Sequence, residues 1–310
     1  MKIHQHLDTL QKLPNAVVTS GTFDGVHLGH QKILARLNEL SKQQAGESVV
    51  VTYWPHPRMV VSEPAHELQL LTTIEEKIAL LSALSIDHLV IIPFTRSFSE
   101  LSSLAFIEQI LVEKIGTKKL VIGYDHRFGR NREGSFEFLQ SNCQGFGFEV
   151  EEIPRQDIED MAISSSRIRR ALLSGNVHEA QELLGRPYSI TGTIVKGKQL
   201  GRKLGFPTAN MQIPEVYKLI PANGVYAIKA THKDSIYTGM LNIGVRPTVD
   251  GISRTIEANI FEFDKDIYGE ELTIELHAFV RSERKFDTLD HLIAGIKADE
   301  SWVKKYFSTQ

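Results

Sequence analysis

The sequence predicts an α/β chain in two parts: an N-terminal doubly wound parallel sheet, then a small six-stranded antiparallel β-barrel with a C-terminal helix. Up to about residue 184, short apolar stretches alternate with amphipathic helical stretches, which is the pattern of βαβ crossovers. After residue 184, short strand-like stretches are separated by turn residues. The chain has 310 residues, more than one hydrophobic core usually holds. We therefore expect domains at 1–184 and 185–310.

The N-terminal part contains five predicted strands with helices between them. The strands are expected at 16–20, 48–53, 88–92, 118–122 and 148–153. The helices are expected at 32–43, 74–84, 100–114 and 135–142. Strands joined through helices of this length form right-handed crossovers, so the sheet is expected to be parallel and covered on both faces.

The C-terminal part contains six predicted strands. They are expected at 188–196, 208–212, 224–230, 236–242, 254–263 and 271–280. Turn signals between them include "NG" at 223–224, "RPTVDG" at 246–251 and "DIYGE" at 266–270. This spacing predicts a closed or nearly closed barrel, followed by an amphipathic helix at 289–306.

Composition excludes several classes of protein. With 42% hydrophobic and 24% charged residues, the chain has the composition of an ordinary globular protein. A net charge of -3 gives no broad electrostatic footprint for nucleic acid. The first 13 residues are polar, Cys143 is the only cysteine, and no apolar run approaches the roughly 20 residues of a membrane span. We therefore expect a cytoplasmic protein with neither a nucleic-acid nor a membrane partner.

The stretch "SGTFDGVHLGH", residues 20–30, directly follows the first predicted strand. Doubly wound sheets bind ligands at the carboxyl ends of their strands, where a helix N-terminus presents free N–H groups. His27 and His30 lie three apart and project from one side of the first helical turn, while Gly29 leaves room for an anion. This arrangement predicts stabilisation of phosphate charge during nucleotidyl transfer. Surface histidines are the alternative, and a zinc site lacks further ligands at suitable spacing.

Three more stretches of the N-terminal part carry candidate residues. In "ISSSRIRRAL", residues 163–172, serines precede a helix and Arg167 and Arg169 add positive charge, although a capped surface helix has the same pattern. "TYWPHPR" at 52–58 and "GYDHRFGRNREG" at 123–134 each follow a predicted strand. We expect both loops on the same rim of the sheet, with simple turns as the alternative.

The barrel part has its own candidate site. In "GKQLGRKLGFPTANM", residues 197–211, glycines allow the loop to fold over a polyphosphate, and Thr208 and Asn210 carry oxygen ligands suited to Mg²⁺. The loop is not a Walker A motif, and a basic hairpin is the alternative. Glu257 shares a strand face with Thr255 and Asn259 and is a candidate base for a substrate hydroxyl, although a surface glutamate fits the pattern too.

These motifs resemble two known families. "GTFDGVHLGHQ" resembles the H-x-G-H signature of the nucleotidyltransferase superfamily, in the version carried by bacterial FAD synthetases, and "ISSSRIRRAL" is similar to its I-S-S-T-x-I-R signature with Ser166 in place of threonine. The barrel loop resembles the P-T-A-N signature of riboflavin kinases, as do "NGVYA", "NIGVRPT", "DIYGEEL" and "FVRSERKF". The resemblance covers about residues 17–307 and implies a bifunctional riboflavin kinase and FMN adenylyltransferase of the bacterial type.

The resemblance implies that riboflavin is phosphorylated in the barrel and that the resulting FMN is adenylylated in the α/β part. ATP is the co-substrate of both steps, flavin is substrate and product, and His27, His30 and Glu257 are the catalytic candidates. In the adenylyltransferase, the implied ATP-binding residues are Gly21, Thr22, Phe23, Asp24, Gly25, His27, Gly29, His30, Ser164, Ser165, Ser166, Arg167 and Arg169. The implied FMN-binding residues there are Pro55, His56, Pro57, Asp125 and Arg127. In the kinase, ATP is implied at Gly201, Lys203, Gly205, Pro207, Thr208 and Asn210, flavin at Arg246, Arg281 and Phe286, and Mg²⁺ at Thr208 and Asn210.

Two other functions are alternatives to the bifunctional enzyme. The kinase half could be inactive, since the family often has histidine where Asn259 stands. The chain could also be a non-catalytic flavin-binding regulator, although a binder has no requirement for a base such as Glu257. The sequence leaves two alternatives for the oligomeric state, a monomer and a weak homo-oligomer.

Overall fold

The structure is a computed structural model that describes residues 1–62, 68–124, 126–153, 163–197, 201, 204–248 and 251–309, with the backbone alone at 246–248 and 251–253. The chain divides into two compact units, Met1–Ser165 and Ser166–Gln310. This division by compactness falls at 165/166. The boundary expected from the sequence at 184/185 stays a prediction.

The first unit is built on a six-stranded sheet in the order β1-β4-β3-β2-β5-β6. All neighbouring strands are parallel. The strands are β1 Lys2–His4, β2 Ala16–Ser20, β3 Glu47–Trp54, β4 His88–Pro93, β5 Thr117–Gly123 and β6 Glu149–Ile153. The five predicted strands and the parallel sheet are thus confirmed. The sequence pattern missed β1, which is three residues long and carries no buried side chain.

The strand order reverses between β2 and β5. The chain moves from β2 to β3 and β4 on one side, and then crosses back so that β5 pairs with the free side of β2. In an open parallel sheet, the crevice outside the carboxyl ends at such a reversal is the usual ligand site. The loops that follow Ser20 and Gly123 therefore lie at this crevice.

Adjacent residues of β2 belong to two separate cores. Val17 packs with side chains of the helices at 28–43 and 74–82, whereas Val18 packs with those at 106–115 and 136–146. Both valines are fully buried, a burial that contributes roughly 1.5–3 kcal/mol per side chain. Helices therefore cover both faces of the sheet, which confirms the doubly wound arrangement.

The helices of the first unit agree with three of the four predicted segments. They are α1 Leu28–Gln43, α2 Pro57–Val61, α3 Ile74–Ser82, α4 Arg96–Ser99, α5 Ser103–Ala105 and α6 Phe136–Phe146. The segment expected as one helix at 100–114 differs. It begins at Ser103, because the Ser102 hydroxyl caps α5 by accepting from the N–H of Ala105, and it continues as a π-helix over Phe106–Ile115.

The second unit contains a closed barrel in the order β10-β11-β8-β7-β12-β9, and its neighbouring strands are antiparallel. The strands are β7 Tyr188–Val195, β8 Ala209–Gln212, β9 Gly224–His232, β10 Ser235–Thr248, β11 Gly251–Ile260 and β12 Glu271–Arg281. The helices are α7 Ser165–Leu173, which begins at the last residue of the first unit, α8 Val177–Leu184 and α9 Leu289–Ser308. The six predicted strands and the C-terminal helix are confirmed.

Helix α9 packs against the barrel. Val303 is fully buried in a cluster with Val225, Ala227 and Met240 of β9 and β10. The helix begins where the Thr288 hydroxyl accepts a hydrogen bond from the N–H of His291, which satisfies one of the free donors of its first turn. This packing fixes one helix face beside the strands that carry the candidate kinase residues.

Candidate functional sites

The loop after β2 has a strained backbone. Phe23, Gly25 and Val26 have φ angles of 47°, 82° and 39°. Glycine adopts such angles readily, but a β-branched residue such as valine rarely does. Phe23 and Val26 are 2% and 1% exposed, so apolar packing holds the loop in this conformation. Strain of this kind persists where the surrounding structure enforces it, as is common at ligand sites.

Asp24 ties this loop to the segment before α3. Its Oδ1 accepts from the N–H groups of Leu71 at 2.9 Å and Thr72 at 3.2 Å, and the Thr72 hydroxyl accepts from the N–H of Gly25 at 3.2 Å. Asp24 is only 2% exposed. Its carboxylate thus shapes the loop from inside, and its ATP contact stays a prediction.

His27 is both the N-cap of α1 and a member of the histidine pair. Its Nδ1 accepts from the N–H of His30 at 3.3 Å. The two rings stack with their centroids 3.6 Å apart and an angle of 16° between the ring planes. Because Nδ1 is an acceptor, a neutral His27 carries its proton on Nε2. Gly29 is buried in the first turn between the two histidines.

His30 lies in a desolvated environment. Burial, together with the neighbouring His27 and Lys77, lowers the pKa of His30 well below its ordinary value. Its Nδ1 is buried and has no hydrogen-bond partner among the residues that the structure describes. A neutral imidazole with one unsatisfied ring nitrogen can bind a phosphate oxygen through hydrogen bonding. The two histidines are therefore hydrogen-bonding groups rather than a pair of cations.

Lys77 is a site residue that the sequence pattern missed. It is 2% exposed, and its Nζ donates to the Thr22 carbonyl at 2.7 Å. Burial lowers the pKa of Lys77 to about 8, against the opposing effect of Asp24. A signal was available, since Lys77 stands four residues before the buried Leu81 and therefore on the buried face of α3.

The loop after β5 lies beside the end of β2, at the rim formed by the carboxyl ends of the strands. His126 Nε2 lies 3.3 Å from the Ser20 hydroxyl. Burial and the charges of Arg132 and Arg127 lower the pKa of His126 to about 4. Arg127 is exposed, and its expected FMN contact stays a prediction. Asp125 lies outside the described residues.

Strand β3 ends at the same rim, where residues 55–58 follow it. The Thr52 hydroxyl donates to the Thr22 carbonyl at 3.4 Å. His56 is buried and caps α2, because its Nδ1 accepts from the N–H of Arg58 at 3.2 Å, and Pro57 is the first residue of that helix. Pro55 is exposed. The expected FMN contacts of Pro55, His56 and Pro57 stay predictions.

A hydrogen bond joins the second N-terminal signature to the first. The Ser165 hydroxyl donates to the Asp24 carbonyl at 3.0 Å, which joins residues 141 positions apart. Ser164 is exposed, as is Ser166. In the second unit, Arg167 Nε donates to Glu179 Oε1 at 2.7 Å, which orients its guanidinium. The phosphate contacts of these serines, of Arg167 and of the half-buried Arg169 stay predictions.

The candidate kinase residues form a row across three barrel strands. Strand register places Glu257 of β11 directly opposite Asn210 of β8 on one side and Asn242 of β10 on the other. Opposed residues of antiparallel strands project to the same face. The three side chains line a cavity of about 250 Å³, which Asn259 also lines. The expected common face of Glu257 and Asn259 is therefore confirmed.

Oxygen donors converge on Glu257. The Thr208 hydroxyl donates to Glu257 Oε2 at 3.4 Å. A Cβ at Gly197 would collide with the amide of Asn210, so this glycine lets Asn210 lie close to the loop backbone. Hydroxyl, amide and carboxylate oxygens are the ligands that Mg²⁺ prefers. The donor set therefore fits the expected metal.

The loop between β7 and β8 is held by its own backbone and by Asn259. The Gly201 carbonyl accepts from the N–H of Phe206 at 2.8 Å, and a Cβ at Gly201 would collide with the Phe206 carbonyl. Asn259 Nδ2 donates to the Pro207 carbonyl at 2.7 Å. Gly205 has a φ of 86°, which favours glycine. Lys203 lies outside the described residues.

Two of the expected flavin contacts line the same cavity. Arg281 forms a bidentate pair with the buried Asp299, with Nε–Oδ1 at 2.9 Å and Nη2–Oδ2 at 2.7 Å. Phe286 packs so closely on Gly295 that a Cβ there would collide with its ring. For Arg246 only the backbone is described, so its flavin contact stays a prediction. The sequence pattern gives no sign of the role of Asp299, which stands on α9 and holds Arg281 in place.

A second cavity of about 520 Å³ adjoins the first. Gly205, Pro207 and Asn259 contribute to it, as do the acidic side chains of Glu262 and Asp264. Asn259 lines both cavities. The hydrogen bond from Asn259 to Pro207 therefore lies in the wall that the two cavities share.

In the part of the chain that the structure describes, no group of three or more histidine, cysteine, aspartate or glutamate side chains is arranged to hold a metal ion. No helix there has both the length and the apolar character needed to cross a membrane.

Comparison with known protein families gives a match for each half of the chain. The FAD synthetase family matches residues 9–167, and the riboflavin kinase family matches residues 184–307. The chain is 38% identical over 295 residues to a bifunctional riboflavin kinase/FMN adenylyltransferase of Listeria monocytogenes, covering 95% of this chain and 93% of that protein. It is 34% identical to the protein of that name in Escherichia coli K12, covering 99% of this chain and 98% of that one.

A solved structure shares the whole architecture. It is described as a macrolide-efflux protein from Streptococcus pneumoniae and aligns with a TM-score of 0.88 at 31% identity. The alignment covers 97% of this chain and 98% of that one. The likeness extends over both units.

Proposed function

Because the chain belongs to the bifunctional riboflavin kinase/FMN adenylyltransferase family, we propose a specific assignment of its two reactions to the two sites described above. The enzyme phosphorylates riboflavin to FMN and adenylylates FMN to FAD, with an N-terminal FAD synthetase part and a C-terminal kinase part. The crevice at His27 and His30 is proposed as the adenylyltransferase site. The cavity at Glu257 is proposed as the kinase site.

The adenylyl transfer needs no covalent enzyme intermediate. A phosphate oxygen of FMN forms a bond to the α-phosphorus of ATP, and the bond from that phosphorus to the bridging oxygen breaks, so that pyrophosphate leaves with the electron pair. The protein has to position the two substrates and to stabilise the charge of the transition state. One observation carries this assignment: the stacked His27 and His30 lie at the first turn of α1, at the strand-order reversal.

The low pKa of His30 determines how His27 and His30 stabilise the phosphate charge. His30 is neutral in the substrate-free protein, so it stabilises phosphate oxygens by hydrogen bonding, beside the free N–H groups at the start of α1. Gly21, Thr22, Phe23, Asp24 and Gly25 form the loop that holds the ATP phosphates. Arg167 and Arg169, with Ser164, Ser165 and Ser166, hold the leaving pyrophosphate. FMN is held by Pro55, His56, Pro57, Asp125 and Arg127.

In the kinase site, Glu257 is proposed as the general base. Its carboxylate accepts the proton of the riboflavin 5'-hydroxyl while that oxygen forms a bond to the γ-phosphorus of ATP, and ADP leaves. Thr208 and Asn210 would hold Mg²⁺, which neutralises phosphate charge when bound. The close contact of Thr208 with Glu257 supports this arrangement because it keeps metal ligand and base within reach of one phosphoryl group.

The two cavities suggest separate places for flavin and nucleotide. The first cavity has apolar walls from Val225, Met240 and Ile296 beside Arg281 and Phe286, which suits the flat flavin ring, and Arg246 is proposed to join them. The second cavity includes Gly205 and Pro207, which suits the nucleotide, with Gly201 and Lys203 in the same loop.

The location, oligomeric state, partners and domain boundary complete the proposal. A single cysteine in 310 residues is compatible with a cytoplasmic location. The enzyme is proposed to act as a monomer or a weak homo-oligomer, with riboflavin, FMN and ATP as its small-molecule partners. The functional boundary is proposed at 184/185, next to the start of the riboflavin kinase match at residue 184.

One assay tests the assignment. The purified protein is incubated with ATP, Mg²⁺ and either riboflavin or FMN, and the flavins are separated by chromatography. We expect FMN and then FAD from riboflavin, and FAD from FMN. FAD formed only from supplied FMN would show that the kinase half is inactive, and the absence of all turnover would leave a flavin-binding regulator.

A further inference from the structure

Lys77 is a buried cation beneath the adenylyltransferase loop. Its side chain comes from α3, not from the loop, and is 2% exposed. Among the residues that the structure describes, the Thr22 carbonyl is the one hydrogen-bond acceptor of its Nζ. An ammonium group has three donors, and burying it with a single hydrogen bond costs free energy. If the side chain at position 77 only filled space, an apolar residue would do so at a lower cost in free energy.

The contact with Lys77 orients one peptide group of the loop. The Thr22 carbonyl accepts from both Lys77 and Thr52. In a planar trans peptide the following N–H, that of Phe23, points in the opposite direction from this carbonyl. Phe23 is buried, and its N–H has no protein acceptor among the described residues. A buried N–H without a protein acceptor is available to donate to a ligand oxygen.

The same ammonium is electrostatically coupled to the histidine pair. Lys77 is one of the charges that lower the pKa of His30, and His30 in turn stacks on His27. Asp24 is the carboxylate that favours the charged lysine, and it lies in the same loop. On its own helix, the neighbouring Glu76 is engaged in the capping box with Thr73. The charge of Lys77 therefore acts on the loop and on His30.

We propose that Lys77 is a positioning residue for FAD formation, whose ammonium holds the Thr22 carbonyl so that the Phe23 N–H is presented to a phosphate oxygen of ATP. This inference rests on the proposed assignment of adenylyl transfer to the His27 and His30 crevice. Lys77 acts through the loop and does not contact the reacting atoms.

The test compares Lys77→Met with the wild type in FAD formation from supplied FMN. We expect the substitution to lower kcat/KM for ATP roughly 10- to 100-fold, because small misplacements of binding groups have effects of that size. In the wild type, kcat/KM is expected to fall as the pH rises through about 8, where Lys77 loses its proton. This alkaline decline is expected to disappear in Lys77→Met. Riboflavin kinase activity of the same samples reports only on the other unit, so the melting temperature of Lys77→Met is measured as well to show that the first unit is folded.

Glu76→Ala provides the matched control. It removes one half of the capping box of α3 and loosens the helix without removing the ammonium. We expect a lower melting temperature with the alkaline decline retained. The proposal is overturned if Lys77→Met stays within about threefold of the wild type, keeps the decline near pH 8, or loses no more activity than Glu76→Ala. Wild-type protein that makes FMN but no FAD would instead contradict the assignment of function.

Discussion

The two candidate sites are built in different ways. In the first unit, the site consists of a helix N-terminus and a strained loop, supported by a buried lysine from another helix. In the second unit, it consists of side chains that strand register places in a row, with Glu257 between Asn210 and Asn242. The first site therefore depends on backbone shape and on distant groups. The second depends on one carboxylate and its direct neighbours.

Substitution of Glu257 is expected to give the largest difference between the activities of the two units. Glu257→Gln keeps the size of the side chain but removes the base, so we expect FMN formation to fall roughly 10²- to 10⁴-fold. FAD formation from supplied FMN is expected to remain at the wild-type rate. Chromatography of the flavins measures both. An equal loss of both activities would contradict two separate sites.

The reciprocal substitution is His30→Ala. Removing one hydrogen-bond donor to transition-state charge is expected to lower the rate of FAD formation roughly 10²- to 10³-fold, with FMN formation from riboflavin unchanged. The same two assays apply. An unaltered FAD rate would exclude the imidazole from the mechanism.

Acid is expected to affect the first unit before the second. Burial holds the pKa of His126 at about 4, below its ordinary 6.5. Between these two values the unfolded chain binds more protons than the folded unit, so the free energy of unfolding falls as the pH falls, by about 3 kcal/mol in total. The lowered pKa values of His30 and His4 act with the same sign.

The second unit responds to acid at lower pH. The contact with His277, whose Nε2 lies 3.5 Å from Glu275 Oε2, lowers the pKa of Glu275 below its ordinary 4.5, so this contribution is lost only as the pH falls below that value. Thermal unfolding followed at several pH values, with both residual activities, tests the order. We expect His126→Gln to reduce the acid sensitivity of FAD formation. If kinase activity were lost before FAD formation as the pH falls, the second unit would be the more acid-sensitive one, contrary to this prediction.

The smallest expected effect is in the wall between the two cavities. Asn259→Ala removes the hydrogen bond to the Pro207 carbonyl, and we expect a loss of about 1 kcal/mol in the free energy of unfolding of the second unit. The KM of the kinase for ATP is expected to rise a few-fold, while adenylyl transfer serves as the unaffected control. Chemical denaturation and kinase assays measure the two effects. Unchanged KM and stability would show that this bond does not shape the loop.

Periodicity and turn residues were sufficient to predict most of the fold. Val17 and Val18 illustrate the reason, since a continuous apolar strand indicates burial on both faces and hence a parallel sheet. The strand β1 was missed because its three residues include no buried side chain and therefore carry no periodic signal. The π-helix at Phe106–Ile115 was missed because its apolar pattern is close to that of an α-helix.

The sequence predicted site residues where side chains of suitable chemistry lie close together in one short stretch. His27, Gly29 and His30 lie within four positions, and Thr208 and Asn210 within three. Lys77 and Asp299 could not be assigned in this way, because each acts on a residue far away in the sequence, Thr22 and Arg281. Only the packing of their helices places them beside those partners.

The hydroxyl of Ser165 bonds to the Asp24 carbonyl, whereas the rest of α7 belongs to the second unit. Cutting the chain between the two units would therefore split this helix at its first residue. A helix this short has little cooperativity of its own in water, so a fragment that stopped there would lose the backbone order that aims this hydroxyl. A fragment that extends to the proposed boundary at residue 184 instead keeps α7 whole, and with it the hydrogen bond from Ser165 to Asp24.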